Sequence, residues 1–172
     1  MRARVVGRSP VARAAAATLA VLSLAGCSLF NRGDTQVVSV LDAVPGDCLR
    51  APTEITAEVT NVTVVPCTEP HEQEVYALVP YPDQAAAQTA TQTAGTTETP
   101  YPGEAALKAF ADGACLEAFA GYVGADYRDS SLFFTYLLPS ARGWQAGGDR
   151  DVTCFITTTG EQRTSSVKGS GL

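Results

Sequence analysis

Apolar and polar positions alternate over five stretches of the chain, which predicts a sheet of short β-strands. The stretches are 36–41, 56–65, 72–80, 131–138 and 150–159. The fourth is a nearly continuous apolar run, so it is also compatible with a buried helical turn. Between the first two stretches, Pro45, Gly46 and Asp47 are residues typical of a turn, and they lead directly into Cys48.

The second and third strand patterns are expected to form an antiparallel pair. Only the segment 66–71, with prolines at both 66 and 70, separates them, and it places Cys67 at the connection. In the strand over 72–80 the alternation puts three side chains on one face and two on the other, Val75, Ala77 and Val79 against Tyr76 and Leu78.

One long helix is predicted over 104–122, after Pro102 and Gly103. Apolar residues recur there at spacings of three and four and include Cys115: Leu107, Phe110, Ala111, Ala114, Cys115, Ala118, Phe119 and Tyr122. Gly121 and Gly124 are expected to end the helix. The fold class is therefore α+β, with a small, mainly antiparallel sheet packed against one main helix.

Two segments lack the apolar residues that a packed element needs. Residues 83–99 are mostly Ala, Thr and Gln, so we expect a flexible insert over 83–100 within a domain at 36–159. Residues 160–172 are expected to form a polar tail, with one further short strand at 165–168.

The N-terminus has the pattern of an export signal. Four arginines precede a short apolar run that ends in Leu24-Ala25-Gly26-Cys27. This ending resembles a bacterial lipobox, so residues 1–26 are predicted to be removed and Cys27 to carry acyl chains such as palmitate. Residues 27–35 then form a tether, and the domain is expected on the extracytoplasmic face of the cell membrane.

Charge excludes some partners. The chain carries 12 basic and 18 acidic residues, and removal of residues 1–26 leaves 8 basic against 18 acidic, a formal net charge of −10. A surface this acidic argues against nucleic acid and against direct adhesion to anionic lipid headgroups. Membrane attachment would therefore depend on the lipid.

Four cysteines remain besides Cys27, and an even number in an exported chain predicts two disulfides. Three pairings are possible. We favour Cys48–Cys67 and Cys115–Cys154, because each closes a modest loop between elements expected to be neighbours. A metal site is disfavoured, since no C-x-x-C occurs and the chain has one histidine.

His71 stands among Glu69, Glu72 and Glu74, so it could act as a general base or a metal ligand. The second histidine of H-E-x-x-H is missing, however, and the prolines favour a turn. We therefore expect His71 to shape that turn by bonding to backbone. The sequence contains no catalytic serine motif or phosphate-binding loop and implies no cofactor.

Trp144 lies among glycines and could line a ligand groove, although we favour a role in capping the core beside Cys154.

Asp149 and Asp151 flank Arg150 and could suggest paired catalytic acids. A turn and an ion pair at the entrance of the last strand is the favoured interpretation.

Several motifs together resemble the septum formation family of actinobacterial envelope proteins. They are Gly46-Asp47-Cys48-Leu49, Pro66-Cys67, Pro70-His71, Glu74-Val75-Tyr76, Tyr101-Pro102-Gly103, Cys115 with Phe119, and Trp144 with Gly148-Asp149-Arg150 and Cys154. The resemblance runs from Leu41 to Phe155. It implies a role outside the cytoplasm in cell division or envelope growth, and it supplies no catalytic residues.

The favoured hypothesis is thus a lipid-anchored, non-enzymatic binding module with a partner in the envelope or the division machinery. Two alternatives stay open. One is a cell-envelope hydrolase that uses His71 and nearby acids, and the other is a carrier of a small ligand bound near Trp144.

Overall fold

A computed structural model describes residues 33–52, 59–82 and 99–172. The predicted signal segment, Cys27, and residues 53–58 and 83–98 lie outside the described part of the chain. The described elements, in chain order, are β1 (Gln36–Ser39), a 3₁₀ turn (Val40–Asp42), β2 (Cys48–Arg50), β3 (Asn61–Val65), β4 (Gln73–Pro80), α1 (Glu104–Val123), a 3₁₀ turn (Tyr127–Asp129), β5 (Phe133–Leu137), a π-helical turn (Gly143–Gly147) and β6 (Asp151–Thr157).

The six strands form one sheet in the order β1-β3-β2-β4-β6-β5. All five neighbouring pairs are antiparallel. The small antiparallel sheet with one main helix confirms the predicted α+β class. The apolar run over 131–138 is a strand, and of its two interpretations the helical turn was wrong.

One predicted pairing is wrong. The strands over 56–65 and 72–80 are not neighbours, because β2 lies between β3 and β4 and pairs with both. β2 has only three residues, which is too short for an alternating pattern to show, and it follows directly on the turn at Pro45 and Gly46. Cys67 does lie at the connection between β3 and β4.

The predicted alternation of β4 is also wrong beyond its first residues. The pairing of β4 with β6 passes from Val75↔Phe155 to Ala77↔Cys154, which leaves Tyr76 as an extra residue in a β-bulge. A bulge shifts the alternation by one position. As a result Val75 faces away from α1, whereas Tyr76, Ala77 and Val79 all pack on the helix side.

α1 covers the β4-β6-β5 part of the sheet with the predicted apolar stripe. Its buried residues are Leu107, Ala111, Cys115, Phe119, Tyr122 and Val123. Burial of each large side chain in this set contributes about 1.5–3 kcal/mol. The helix ends at Gly124, whose φ of 88° is a left-handed conformation that glycine adopts without strain. No helix in the described ranges is both long and apolar enough to cross a membrane.

Both predicted disulfides are present. The corner disulfide, Cys48–Cys67, links β2 to the connection after β3. The helix disulfide, Cys115–Cys154, links the buried side of α1 to β6. Each bond closes its loop in the unfolded chain as well, so it lowers the entropy of that state and stabilises the fold.

Residues 160–172, predicted as a polar tail, pack against the domain. Val167 is buried, the amide of Gly169 donates to the carbonyl of Tyr122, and the amide of Gly171 donates to that of Val123. The segment therefore satisfies two carbonyls at the end of α1. The short strand expected at 165–168 is not formed; instead His71 and Arg163 form an isolated antiparallel bridge.

The face of the sheet opposite α1 carries a second apolar cluster, built from Ala43, Leu49, Val64, Val75 and Phe155, with Val38, Val62 and Leu137 packed against it. These residues include side chains from β1 and β5, which are the two edges of the sheet. The sheet is therefore curled toward this face, as expected for a twisted antiparallel sheet.

Candidate binding groove

The curled face of the sheet forms two adjoining cavities, of about 770 Å³ and about 540 Å³. Both are lined by Val59, Thr60 and Leu137, so they join into one trough, which we call the groove. The groove lies between β3 and β5, strands that are not neighbours in the sheet. Its floor in the larger cavity includes Val62 and Phe155, and neutral polar residues such as Thr60 and Thr135 line it as well.

One end of the groove has fixed polar groups. Arg50 lines it and forms an ion pair with Glu69 at 3.0 Å. Glu72 lines it as well, and its carboxylate accepts hydrogen bonds from the side chain of Gln162 at 2.7 Å and from the amide of Ala51 at 3.0 Å. These bonds, that from Gln162 first, hold the pKa of Glu72 below its usual value. The Glu72 carboxylate is thus oriented before any ligand arrives.

The other end of the groove is acidic. Glu104, Asp149 and Asp151 line the smaller cavity, and no basic side chain appears in the described lining there. Burial raises the pKa of Asp149, because the carboxylate is partly removed from water. The neighbouring carboxylate of Asp151 adds to this effect. A cation bound at this end would relieve the repulsion between the acids.

Trp144 and Arg150 lie together but line neither cavity. The guanidinium of Arg150 stands 4.0 Å from the centre of the Trp144 ring and donates to the Trp144 carbonyl at 2.7 Å. The indole N–H donates to the carbonyl of Thr99 at 2.7 Å, and the rings of Tyr81 and Tyr101 contact the indole edge-on. Trp144 is buried, so these contacts form a core for the surrounding loops.

His71 is 1 % exposed and lines neither cavity. Its Nδ1 lies 2.8 Å from the carbonyl oxygen of Glu69. The backbone of His71 exchanges hydrogen bonds with that of Arg163 at 3.0 and 2.8 Å, so the residue fixes both its own turn and the C-terminal segment. A reacting group in the groove could not reach the imidazole in this conformation.

A buried polar cluster surrounds Glu74, which is 2 % exposed. Its carboxylate accepts hydrogen bonds from the Tyr122 hydroxyl at 2.6 Å, the Ser166 hydroxyl at 2.5 Å and the Val167 amide at 2.8 Å. Cys48, His71 and Glu74 are the one set of potential metal ligands brought together within the described ranges. The sulfur of Cys48 is in the corner disulfide, so it is not a thiolate in this structure.

The residues proposed from the sequence are thus not gathered into one site. Asp149 lines the groove, whereas His71 is buried elsewhere and Trp144 packs with Arg150 outside both cavities. Glu72 and Asp151 also line the groove, but its other lining residues were not predicted, and neither was the cluster of Glu74, Tyr122 and Ser166. Glu74 follows two polar residues at the start of the β4 pattern, so no local signal marks it as buried.

Fold and site define a small disulfide-linked α+β domain with a groove on one face of its sheet. The model of the septum formation family matches residues 45–171, which is most of the chain. The chain belongs to the septum formation family, which is not a known enzyme family, and its role is related to septum formation. The match extends beyond Phe155 and includes the packed C-terminal segment. No curated protein and no solved structure matches the chain.

Proposed function

We propose that this protein is held on the extracytoplasmic face of the cell membrane by lipid on Cys27 and acts there as a non-enzymatic binding module in septum formation. The lipobox pattern and the two disulfides support this location, because disulfides persist where thiols are not kept reduced. Family membership supports the link to the septum.

The groove is the binding surface in this proposal, and its occupant is an extended polypeptide segment of an envelope or division protein. An apolar floor with polar walls suits such a segment, since side chains bury on the floor while the backbone bonds to the walls. The cluster of Glu104, Asp149 and Asp151 favours a basic side chain at that end. This acidic end is the observation that carries the choice of partner.

The first test concerns localisation in the cell. A fluorescent fusion that folds outside the cytoplasm is imaged during division, in parallel with the same fusion carrying Cys27→Ser. We expect signal enriched at septa for the unchanged protein and loss of membrane retention for the variant. Uniform membrane signal together with normal septa in a deletion strain would remove the septal role, and unchanged retention of the variant would remove the lipid anchor.

The second test concerns the groove, and it uses two edge strands as matched sites. Thr135 is an exposed residue of β5 in the groove lining, and Val37 is an exposed residue of β1 whose side chain lies outside that lining. We expect Thr135→Arg to fail to restore normal septa in the deletion strain, and Val37→Arg to restore them. Equal complementation by both variants, with equal thermal stability, would refute the groove as the binding surface.

The acidic end is tested in the same strain. Asp151→Lys places a positive charge in the smaller cavity, whereas Asp129→Lys makes the same charge change at an exposed site outside both cavities. We expect complementation to weaken for the first and to be kept for the second. The opposite ranking would show that the acids of the groove do not select the partner.

A further inference from the structure

Three potential metal ligands meet in the core beside the corner disulfide. The Cys48 sulfur, a ring nitrogen of His71 and a carboxylate oxygen of Glu74 all lie within 4.8 Å of one another. Each of the three residues is at most 2 % exposed. Cys48 and Glu74 are direct cross-strand partners on β2 and β4, and the bridge to Arg163 fixes His71 just before β4. The framework of the sheet therefore sets the spacing of the three groups.

His71 offers a lone pair that no described residue uses. A carbonyl oxygen can only accept a hydrogen bond, so the 2.8 Å contact with Glu69 places the proton on Nδ1 and the lone pair on Nε2. Nε2 is buried and has no hydrogen-bond partner among the described residues. An N–H to a backbone carbonyl is also the bond that commonly orients a metal-binding histidine. An unpaired buried nitrogen is costly and calls for an explanation.

Glu74 is oriented in the same way. Oε1 accepts from both Tyr122 and Ser166, whereas among the described residues Oε2 accepts only from the Val167 amide. Oε2 therefore keeps a lone pair. Hydrogen bonds of this kind commonly support carboxylates that ligate a metal. With Cys48 as a thiolate and His71 neutral, the three groups would carry two negative charges, which a divalent cation neutralises.

We propose that, once the corner disulfide is opened, Cys48, His71 and Glu74 bind one Zn²⁺ ion. One thiolate, one imidazole and one carboxylate are ligands that zinc accepts together, and three protein ligands leave the fourth tetrahedral position for water. Tetrahedral zinc bonds place ligand atoms about 3.4–3.7 Å apart. The three groups lie within 4.8 Å of one another, so side-chain movements after the disulfide opens would bring them to that spacing.

The chemistry balances when a dithiol opens the bond. A thiolate of the dithiol attacks one sulfur of the corner disulfide, and its second thiol then resolves the mixed disulfide, so the reductant leaves as a disulfide and Cys48 and Cys67 become thiols. Two electrons pass to the protein pair. Zinc binding then releases the proton of the Cys48 thiol to solvent. The zinc site can therefore form only when the corner disulfide is open.

Two single variants test the site without a reductant. In full-length chains that all carry Cys27→Ser, Cys67→Ser leaves Cys48 as the free thiol and Cys48→Ser leaves Cys67. Both lose the same disulfide, so they differ only in which sulfur is available. Co²⁺ is the probe, because cobalt bound to a thiolate gives an intense near-ultraviolet charge-transfer absorption. We expect one equivalent bound to Cys67→Ser, displacement by Zn²⁺, and loss of the absorption in Cys48→Ser.

His71→Gln in the Cys67→Ser background removes the nitrogen ligand, and the absorption should be lost there as well. Cys67→Ser could fail to fold alone; recovery of the folded circular dichroism spectrum on addition of Zn²⁺ would then support the site. Chemical reduction of the unmutated pair, verified by alkylation and mass mapping, gives a second route to the same measurement. Three results would each overturn the proposal: equal Co²⁺ binding by the two cysteine variants, retained binding after His71→Gln, or no binding by either Cys67→Ser or the chemically reduced pair.

Discussion

The bond between Tyr122 and Glu74 should stabilise the fold more than its nearest counterpart in the same core. The hydroxyl of Tyr122 donates to the Glu74 carboxylate at 2.6 Å, and that of Tyr76 donates to the carbonyl of Cys115 at 2.7 Å. Both tyrosines are less than 10 % exposed, and their rings contact each other. Substitution of each by phenylalanine therefore removes one hydroxyl from comparable surroundings, with the charge of the acceptor as the main difference.

The structure indicates the size of each effect. A hydrogen bond to a charged group contributes about 1.5–3 kcal/mol, and one between neutral groups about 0.5–1.5 kcal/mol. Tyr122→Phe also leaves the buried carboxylate with two donors instead of three. We expect Tyr122→Phe to lower the free energy of unfolding by about 2–3 kcal/mol and Tyr76→Phe by about 1 kcal/mol. Total domain stabilities are about 5–15 kcal/mol, so both variants should fold.

Urea unfolding at neutral pH with both disulfides intact measures the difference. With a slope of about 2 kcal/mol per molar urea, the midpoint should fall by about 1 M or more for Tyr122→Phe and about 0.5 M for Tyr76→Phe. The slopes must be equal for the comparison to hold. A loss for Tyr76→Phe equal to or greater than that for Tyr122→Phe would refute the reasoning that the carboxylate dominates this cluster.

Three further predictions follow from pKa shifts and cross-links. Burial raises the pKa of Tyr122 above its usual value of 10.0, so its contribution to stability is complete below that pH and is lost as the pH rises from there toward the higher pKa of the folded state; the urea midpoint should fall in alkaline buffers and should fall less in Tyr122→Phe, and an equal fall in both would contradict the shift. Glu72 has a pKa below the usual 4.5, so its contribution to stability is present above pH 4.5 and is lost as the pH falls through its lowered pKa. Gln162→Leu should raise the pKa of Glu72, as measured by carboxyl NMR titration, and an unchanged pKa would contradict the assigned cause. Replacing both cysteines of the helix disulfide (sequence separation 39) by alanine should lower the free energy of unfolding by about 3.9 kcal/mol, and the same change at the corner disulfide (separation 19) should lower it by about 3.2 kcal/mol. Thermal unfolding of the two double variants measures this ranking, and the reverse ranking would contradict the loop-entropy explanation.

The helix and the disulfides could be predicted because their signals are local or strongly constrained. Twenty residues of three-to-four spacing leave one consistent buried face, and Cys115 falls on it. With Cys27 assigned to the predicted lipobox, the other four cysteines allow only three pairings, and short loops between expected neighbours favour the observed one. For the helix and the disulfides there are few alternative arrangements, so the sequence is enough to predict them.

Strand order, the groove and the buried cluster depend on contacts between distant segments. β2 is too short to show alternation, so nothing in its sequence indicates that it separates β3 from β4. The bulge at Tyr76 shifts the faces of β4 without a glycine to mark it. Ser166 meets Glu74 across 92 positions of sequence, and its segment is too polar to predict burial. The groove itself exists only because the sheet curls, which no local pattern encodes.

The two faces of the sheet differ in a way that bears on the proposed function. On the helix side, aromatic contacts such as Tyr76 with Phe119 and the helix disulfide fill the available volume, so that face determines stability. On the groove side, Phe155 and its neighbours form a floor whose position is fixed by strands already held by the corner disulfide and the packed C-terminal segment. When a partner binds to a groove that is already formed, the partner loses conformational entropy but the domain loses little. The lower entropy cost favours affinity even at modest contact area. In the proposed function, the domain selects its partner through the shape and charge of this groove.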